Sequence, residues 1–205
     1  MGKQSNPNDV FINCPFDLEY QPLFDALFFV TVACGFRVRC SLEADDGSEV
    51  RVEKILRIIG ESKYGIHDIS RTELDDDNKL PRFNMPLELG MFLGAKRFGG
   101  AAQKGKACLI VDNEKYRYQK FLSDIAGQDI KAHDSSPEKL ICAVRDWLRG
   151  HSEGPSLPGG KAIYKKYSMF VLELPALCAE CEIDPKDLTY ADYSHMVTGW
   201  LKANS

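Results

Sequence analysis

Ala107-Cys108-Leu109-Ile110-Val111-Asp112 is an apolar run closed by one acid. A strand that is apolar at every position has both faces covered, which points to a sheet buried between helices. Working outward, shorter runs of the same kind stand earlier in the chain, at Asp9-Val10-Phe11-Ile12-Asn13-Cys14 and from Tyr64 to Ile69. Phe36 to Leu42 alternates and reads as a further strand, and Ile130 to His133 as a short edge strand. Helical spacing fills the gaps. Tyr20 to Cys34 places Leu23, Leu27, Val30 and Cys34 on one face and ends at Gly35. The next helix, with Ser48 as its predicted N-cap, carries Val52, Ile55, Leu56 and Ile59. Tyr116 to Ala126 reads as a short helix, and Pro137 to Arg149 as one facing inward through Leu140, Val144, Trp147 and Leu148. Strand and helix alternate, which predicts an α/β fold with a central parallel sheet and helices on both faces.

Residues 9–149 are read as the sheet domain. Residues 150–160 have a linker's composition, with Gly154, Pro155, Pro158, Gly159 and Gly160. Residues 161–205 are read as a C-terminal helical extension: a helix from Lys161 to Glu180 that Pro175 kinks or divides, then shorter helices from Asp184 to Ala203.

The chain has 205 residues, 44% hydrophobic and 27% charged, with a net charge of −4. That charge gives no electrostatic case for a nucleic-acid partner. No apolar run is long enough to span a membrane, and the polar start, Met1 to Asn8, lacks a signal peptide's apolar stretch. Seven cysteines, an odd number lying mostly in apolar runs, are expected as free thiols in a reducing cytoplasm. Cys178-x-x-Cys181 has no second ligand pair to complete a zinc site. Asp75-Asp76-Asp77 lacks the spacing and glycine of a calcium loop, so no metal is expected.

Phosphate-loop and GxGxxG patterns are absent, and no GxSxG elbow stands at a strand-to-helix turn. His67 sits inside an apolar strand and reads as a core residue, His133 as an edge residue, and no catalytic triad assembles. What remains is Asn84-Met85-Pro86-Leu87-Glu88-Leu89-Gly90-Met91-Phe92-Leu93-Gly94, the start of an apolar helix with one acid in its first turns. Pro86 suits a first turn, where its missing N–H has no role. Asn84 is its candidate N-cap. A glutamate so placed either favours the helix dipole or stabilises a cationic sugar as a glycosidic bond breaks. Polar tails of three strands fall at the same carboxyl edge: Asn13 to Asp17, Asp68 to Arg71, and Asp112-Asn113.

Two stretches carry a family resemblance. Asp9 to Asn13, and Glu88-Leu89-Gly90 with its trailing apolar helix, resemble the first strand and the acid-bearing helix of bacterial Toll/interleukin-1 receptor (TIR) domains. Phe11-Ile12-Asn13-Cys14-Pro15-Phe16 and the same helix are similar to nucleoside 2-deoxyribosyltransferases. The resemblance covers about residues 9 to 149. It implies a flavodoxin-like three-layer sandwich with Glu88 as the catalytic residue. Asn13, Pro15, Phe16, Asp17, Asp68, Ser70, Arg71 and Asn84 would line the substrate pocket, Phe16 stacking on the base or ribose. The implied activity is cleavage of the N-glycosidic bond of a nucleotide, with NAD as substrate and no other cofactor, in a homo-oligomer of the kind used in antiphage signalling. The TIR serine-rich loop and Trp-Cys pair are absent, as is the transferase aspartate shortly before the glutamate, unless Asn84 replaces it. Two alternatives stay open: a nucleoside deoxyribosyltransferase or nucleotide N-glycosidase, and a non-catalytic nucleotide sensor or self-assembling adaptor.

Overall fold

The structure, a computed structural model, describes residues 6–43, 46–72, 74 and 82–204. The acidic run Asp75-Asp76-Asp77 lies outside the described residues. Five parallel strands form one sheet: β1 (Asp9–Asn13), β2 (Arg37–Arg39), β3 (Tyr64–Asp68), β4 (Ala107–Asp112) and β5 (Ile130–Ala132). Their order is β2-β1-β3-β4-β5. The chain moves outward from β1 to β2, then returns to lay β3 on the other side of β1. This reversal opens a crevice between the carboxyl ends of β1 and β3, where ligands of open α/β sheets sit. Asn13 lies opposite His67 at that end.

Helices α1 (Gln21–Ala33) and α5 (Pro137–Arg149) cover one face. On the other lie α2 (Arg51–Glu61) and α3 (Asn84–Phe98), the latter followed by the single turn α4 (Ala101–Lys104). The strand period of two divides β1 between the layers: Val10 and Ile12 join the α1/α5 core, while Phe11 packs with Ile55, Ile58, Ile59 and Phe92. The expected α/β sandwich with a C-terminal helical part is therefore present.

Residues 160–203 add α6 (Gly160–Glu180) and α7 (Tyr190–Ala203). Pro175 does not divide α6. Both helices lie against α1 and share its core through Ile163, Phe170, Val197 and Trp200. Gly160 lets α6 begin close upon α5, because a Cβ there would stand 2.7 Å from Cys142 Sγ. Among the described residues no helix is long and apolar enough to cross a membrane. All seven cysteines are free thiols.

Three local expectations are corrected. Val50, not Ser48, stands before α2, because the Ser48 N–H and hydroxyl turn back to Asp46 Oδ1 at 2.9 and 2.6 Å. The segment from Tyr116 to Ala126 forms two 3₁₀ turns rather than a helix, and Tyr116 takes a left-handed backbone at φ 63°. Asn84 is the first residue of α3 and not its cap; Phe83 holds that position in a helical conformation and offers no side-chain acceptor.

Candidate active site

The carboxyl edge of the sheet carries two clefts. One, about 230 Å³, lies between α2 and α3 and is lined by Arg51, Val52, Ile55, Asn84, Leu87, Glu88 and Met91. The other, about 310 Å³, has Tyr20, Ser70, Arg71, Asn113 and Ser135 in its walls. Glu88 and Asn84 thus share the first cleft, and Ser70 and Arg71 share the second. Buried Cys14, which follows β1, is pushed well above its ordinary value by burial and, after it, by the charges of Asp68, Cys40, Glu88 and Asp17.

Glu88 is half-buried among apolar neighbours on α3. Burial raises its carboxyl to about 7, and the nearby charge of Arg51 pulls the other way. No hydrogen bond from the described residues reaches its oxygens, so desolvation prevails. Leu89 and Phe92 are its buried helix neighbours, whereas Leu87 is exposed.

Asp68 behaves in the opposite way. Fully buried at the end of β3, it accepts hydrogen bonds from the Tyr20 hydroxyl at Oδ2 and from the Ser70 N–H at Oδ1, the latter at 2.8 Å. His133 Nε2 lies 3.0 Å from Oδ2, within ion-pair distance. The Ser135 N–H donates to His133 Nδ1 at 3.0 Å, which makes Nδ1 an acceptor and leaves the ring proton on Nε2, toward Asp68. Burial pushes the Asp68 carboxyl up, but His133, Ser70 and Tyr20 together hold it below the ordinary value.

Asn13 is also committed inside the protein. Its Nδ2 donates to the Met85 carbonyl at 2.8 Å and faces His67 Nδ1 at 3.0 Å. This ties β1 and β3 to the start of α3. An amide nitrogen only donates, so His67 Nδ1 accepts and the neutral ring carries its proton on Nε2. Burial, then Lys106, lowers His67 to about 3, which keeps the ring uncharged at neutral pH. Gly65 leaves room for it: a Cβ would stand 2.7 Å from His67 Nε2 and 2.9 Å from the Phe92 ring. His67 is a core residue that seats α3, as the sequence reading has it.

Pro15 is buried, and half-buried Phe16 meets Phe24 edge-on with centroids 5.3 Å apart. Asp17 pairs with Arg71 at 3.0 Å and Arg82 at 2.8 Å. Burial acts to raise its carboxyl, and Arg71, the Tyr20 N–H and Arg82 outweigh it and lower it.

Sequence reasoning missed three participants. His133 does follow the edge strand β5, but it is buried, 1% exposed, against Asp68, while Tyr20 and Arg51 carry no motif that marks them. The signal for His133 was topological: the residue after a parallel strand stands at the ligand edge. Comparison of the chain with protein-family models, curated proteins and solved structures gave no match.

Proposed function

We propose that this chain cleaves the N-glycosidic bond of a nucleotide, with NAD as the leading candidate and with Glu88 as the catalytic residue. The observation that carries the reading is one carboxyl, poised near neutrality by burial, alone with Arg51 and Asn84 in a cleft at the ligand edge of an open sheet. The C1–N bond breaks and its electron pair leaves with the base. Positive charge on the sugar is then balanced by ionised Glu88 in a site of low polarity. Water adds to C1 and gives its proton to Glu88. Asn84, in the wall of the same cleft, is placed to orient the sugar hydroxyls. The TIR resemblance supports this reading and extends it to a homo-oligomeric enzyme of cytoplasmic antiphage signalling.

The size of the cleft favours a second reading, a nucleoside or mononucleotide N-glycosidase. About 230 Å³ is below the roughly 300–1,000 Å³ of sites that enclose a drug-sized ligand, and suits one sugar with its base.

Chromatography of products from NAD and a panel of nucleosides and nucleotides tests both. Wild type is expected to release nicotinamide or free base, and Glu88→Gln to be slower by about 10²–10⁴-fold. The rate should rise with pH through about 7 as Glu88 ionises. Equal turnover by both proteins, or none by folded wild type at low and high protein concentration, refutes the reading. Nicotinamide from NAD separates the first substrate from the second.

A further inference from the structure

We propose that Arg51 is an anion subsite of the Glu88 cleft, holding the phosphate attached to the sugar whose C1 faces Glu88. The inference rests on the reading of Glu88 above and narrows the substrate to phosphorylated nucleosides.

Carboxylates already occupy the other arginines around this half of the molecule. Arg37 and Arg39 bind Asp9, Arg57 binds Glu49, Arg71 and Arg82 bind Asp17, and Arg117 binds Asp112. Arg51 differs. Among the described residues it has no carboxylate within ion-pair distance, and its hydrogen bond, Nη2 to Ser41 Oγ, is long at 3.5 Å. Its side chain is exposed and forms one wall of the cleft in which Glu88 stands. The two are close enough for Arg51 to draw the Glu88 carboxyl down, yet too far apart to pair. A guanidinium and a carboxylate in the walls of one cleft match a ligand with a negative end and a cationic reacting centre. Phosphate oxygens suit the planar fork of an arginine.

The surroundings agree. Glu53 and Glu49, the nearest acids in sequence, do not line the cleft, and Glu49 is held by Arg57 at 2.9 Å. Arg51 and Val52, the first residues of α2, are both in the cleft wall, and Val50 at the cap position supplies no side-chain acceptor. The first-turn N–H groups of α2 therefore add to the positive potential that Arg51 brings.

Titration calorimetry with ribose, ribose 5-phosphate and ADP-ribose tests the subsite on the full chain, in wild type, Arg51→Ala, Arg51→Lys and Glu88→Gln. Wild type should prefer ribose 5-phosphate over ribose. Arg51→Ala, shown to be folded by its unfolding curve, should bind the phosphate about tenfold or more weakly, with partial recovery in Arg51→Lys. Glu88→Gln should bind it as well as wild type or better, since a negative charge is gone. Tighter binding of ADP-ribose than ribose 5-phosphate would identify a diphosphate, and equal binding a monophosphate; either supports the subsite. Equal phosphate affinity in wild type and Arg51→Ala overturns the proposal, as does a wild type with no preference for the phosphorylated sugar. Phosphate binding that depends on Arg51, without base release from any nucleotide, would refute the glycosidase reading and leave the subsite standing.

Discussion

Asp68 and Glu88 stand at the same edge of one sheet and titrate in opposite directions. Asp68 is the more deeply buried, yet its carboxyl is lowered; Glu88 is only half-buried, and its carboxyl rises to about 7. Partners make the difference. Asp68 is met by a phenol, a backbone N–H and an imidazole, whereas Glu88 meets hydrocarbon and a distant guanidinium. Burial raises a carboxyl only to the extent that the fold withholds donors from it. The first acid is a tie between elements, and the second is left available for a ligand.

The largest expected effect is at Asp68. Asp68→Ala strands Tyr20, the Ser70 N–H and His133 in the interior and should lower unfolding stability by about 3–5 kcal/mol in urea titration. Glu88→Ala should change it by less than about 1 kcal/mol; similar losses at both sites would erase the contrast. Next is Asn13→Ala, which frees the Met85 carbonyl and His67 and should cost about 1–3 kcal/mol.

Dependence on pH sharpens the comparison further. A carboxyl raised on folding favours the folded state while protonated, so the Glu88 contribution falls as pH rises from its ordinary 4.5 through about 7. That fall should be on the order of 1 kcal/mol after solvent screening, and it should vanish in Glu88→Gln. The Asp68 contribution has the opposite sign. It is present above the ordinary value of 3.8 and lost as pH falls below it. Unfolding curves collected from pH 3 to 8 distinguish the two. The smallest effect is at Asp17→Asn, whose partly exposed pairs with Arg71 and Arg82 should be worth about 0.2–1 kcal/mol by the same measurement.

Local pattern made much of the scaffold legible. The run Ala107–Asp112 and the helix Pro137–Arg149 occupy the residues their periodicity predicts. In α5, Ser136 accepts from the Lys139 N–H and Pro137 opens the helix, so cap and period agree. Where the two 3₁₀ turns replace an expected helix, a distant contact overrides propensity: the Arg117 guanidinium reaches back to Asp112 and to the carbonyls of Ile69 and Ser70. The candidate site was legible where one residue stood out from its own helix, as Glu88 does. The Tyr20–Asp68–His133 network was not, because its members lie on three elements far apart in the chain and no spacing relates them. Arg51 escaped for a similar reason: only the packing of α2 on α3 brings it opposite Glu88.

Three phenols of the C-terminal helices reach carbonyls of the sheet domain: Tyr167 to Pro22, Tyr193 to Asp25 and Tyr190 to Val38. Their consequence falls on biosynthesis. A ribosome delivers the N-terminal part first. When residues 9–149 have emerged, α1 still has one flank bare, with Phe29 and its neighbours waiting for Phe170 and Trp200. Until residues 160–203 follow, that apolar flank of α1 stands open to water, so a sheet domain made without them is expected to be less stable and to expose an apolar face.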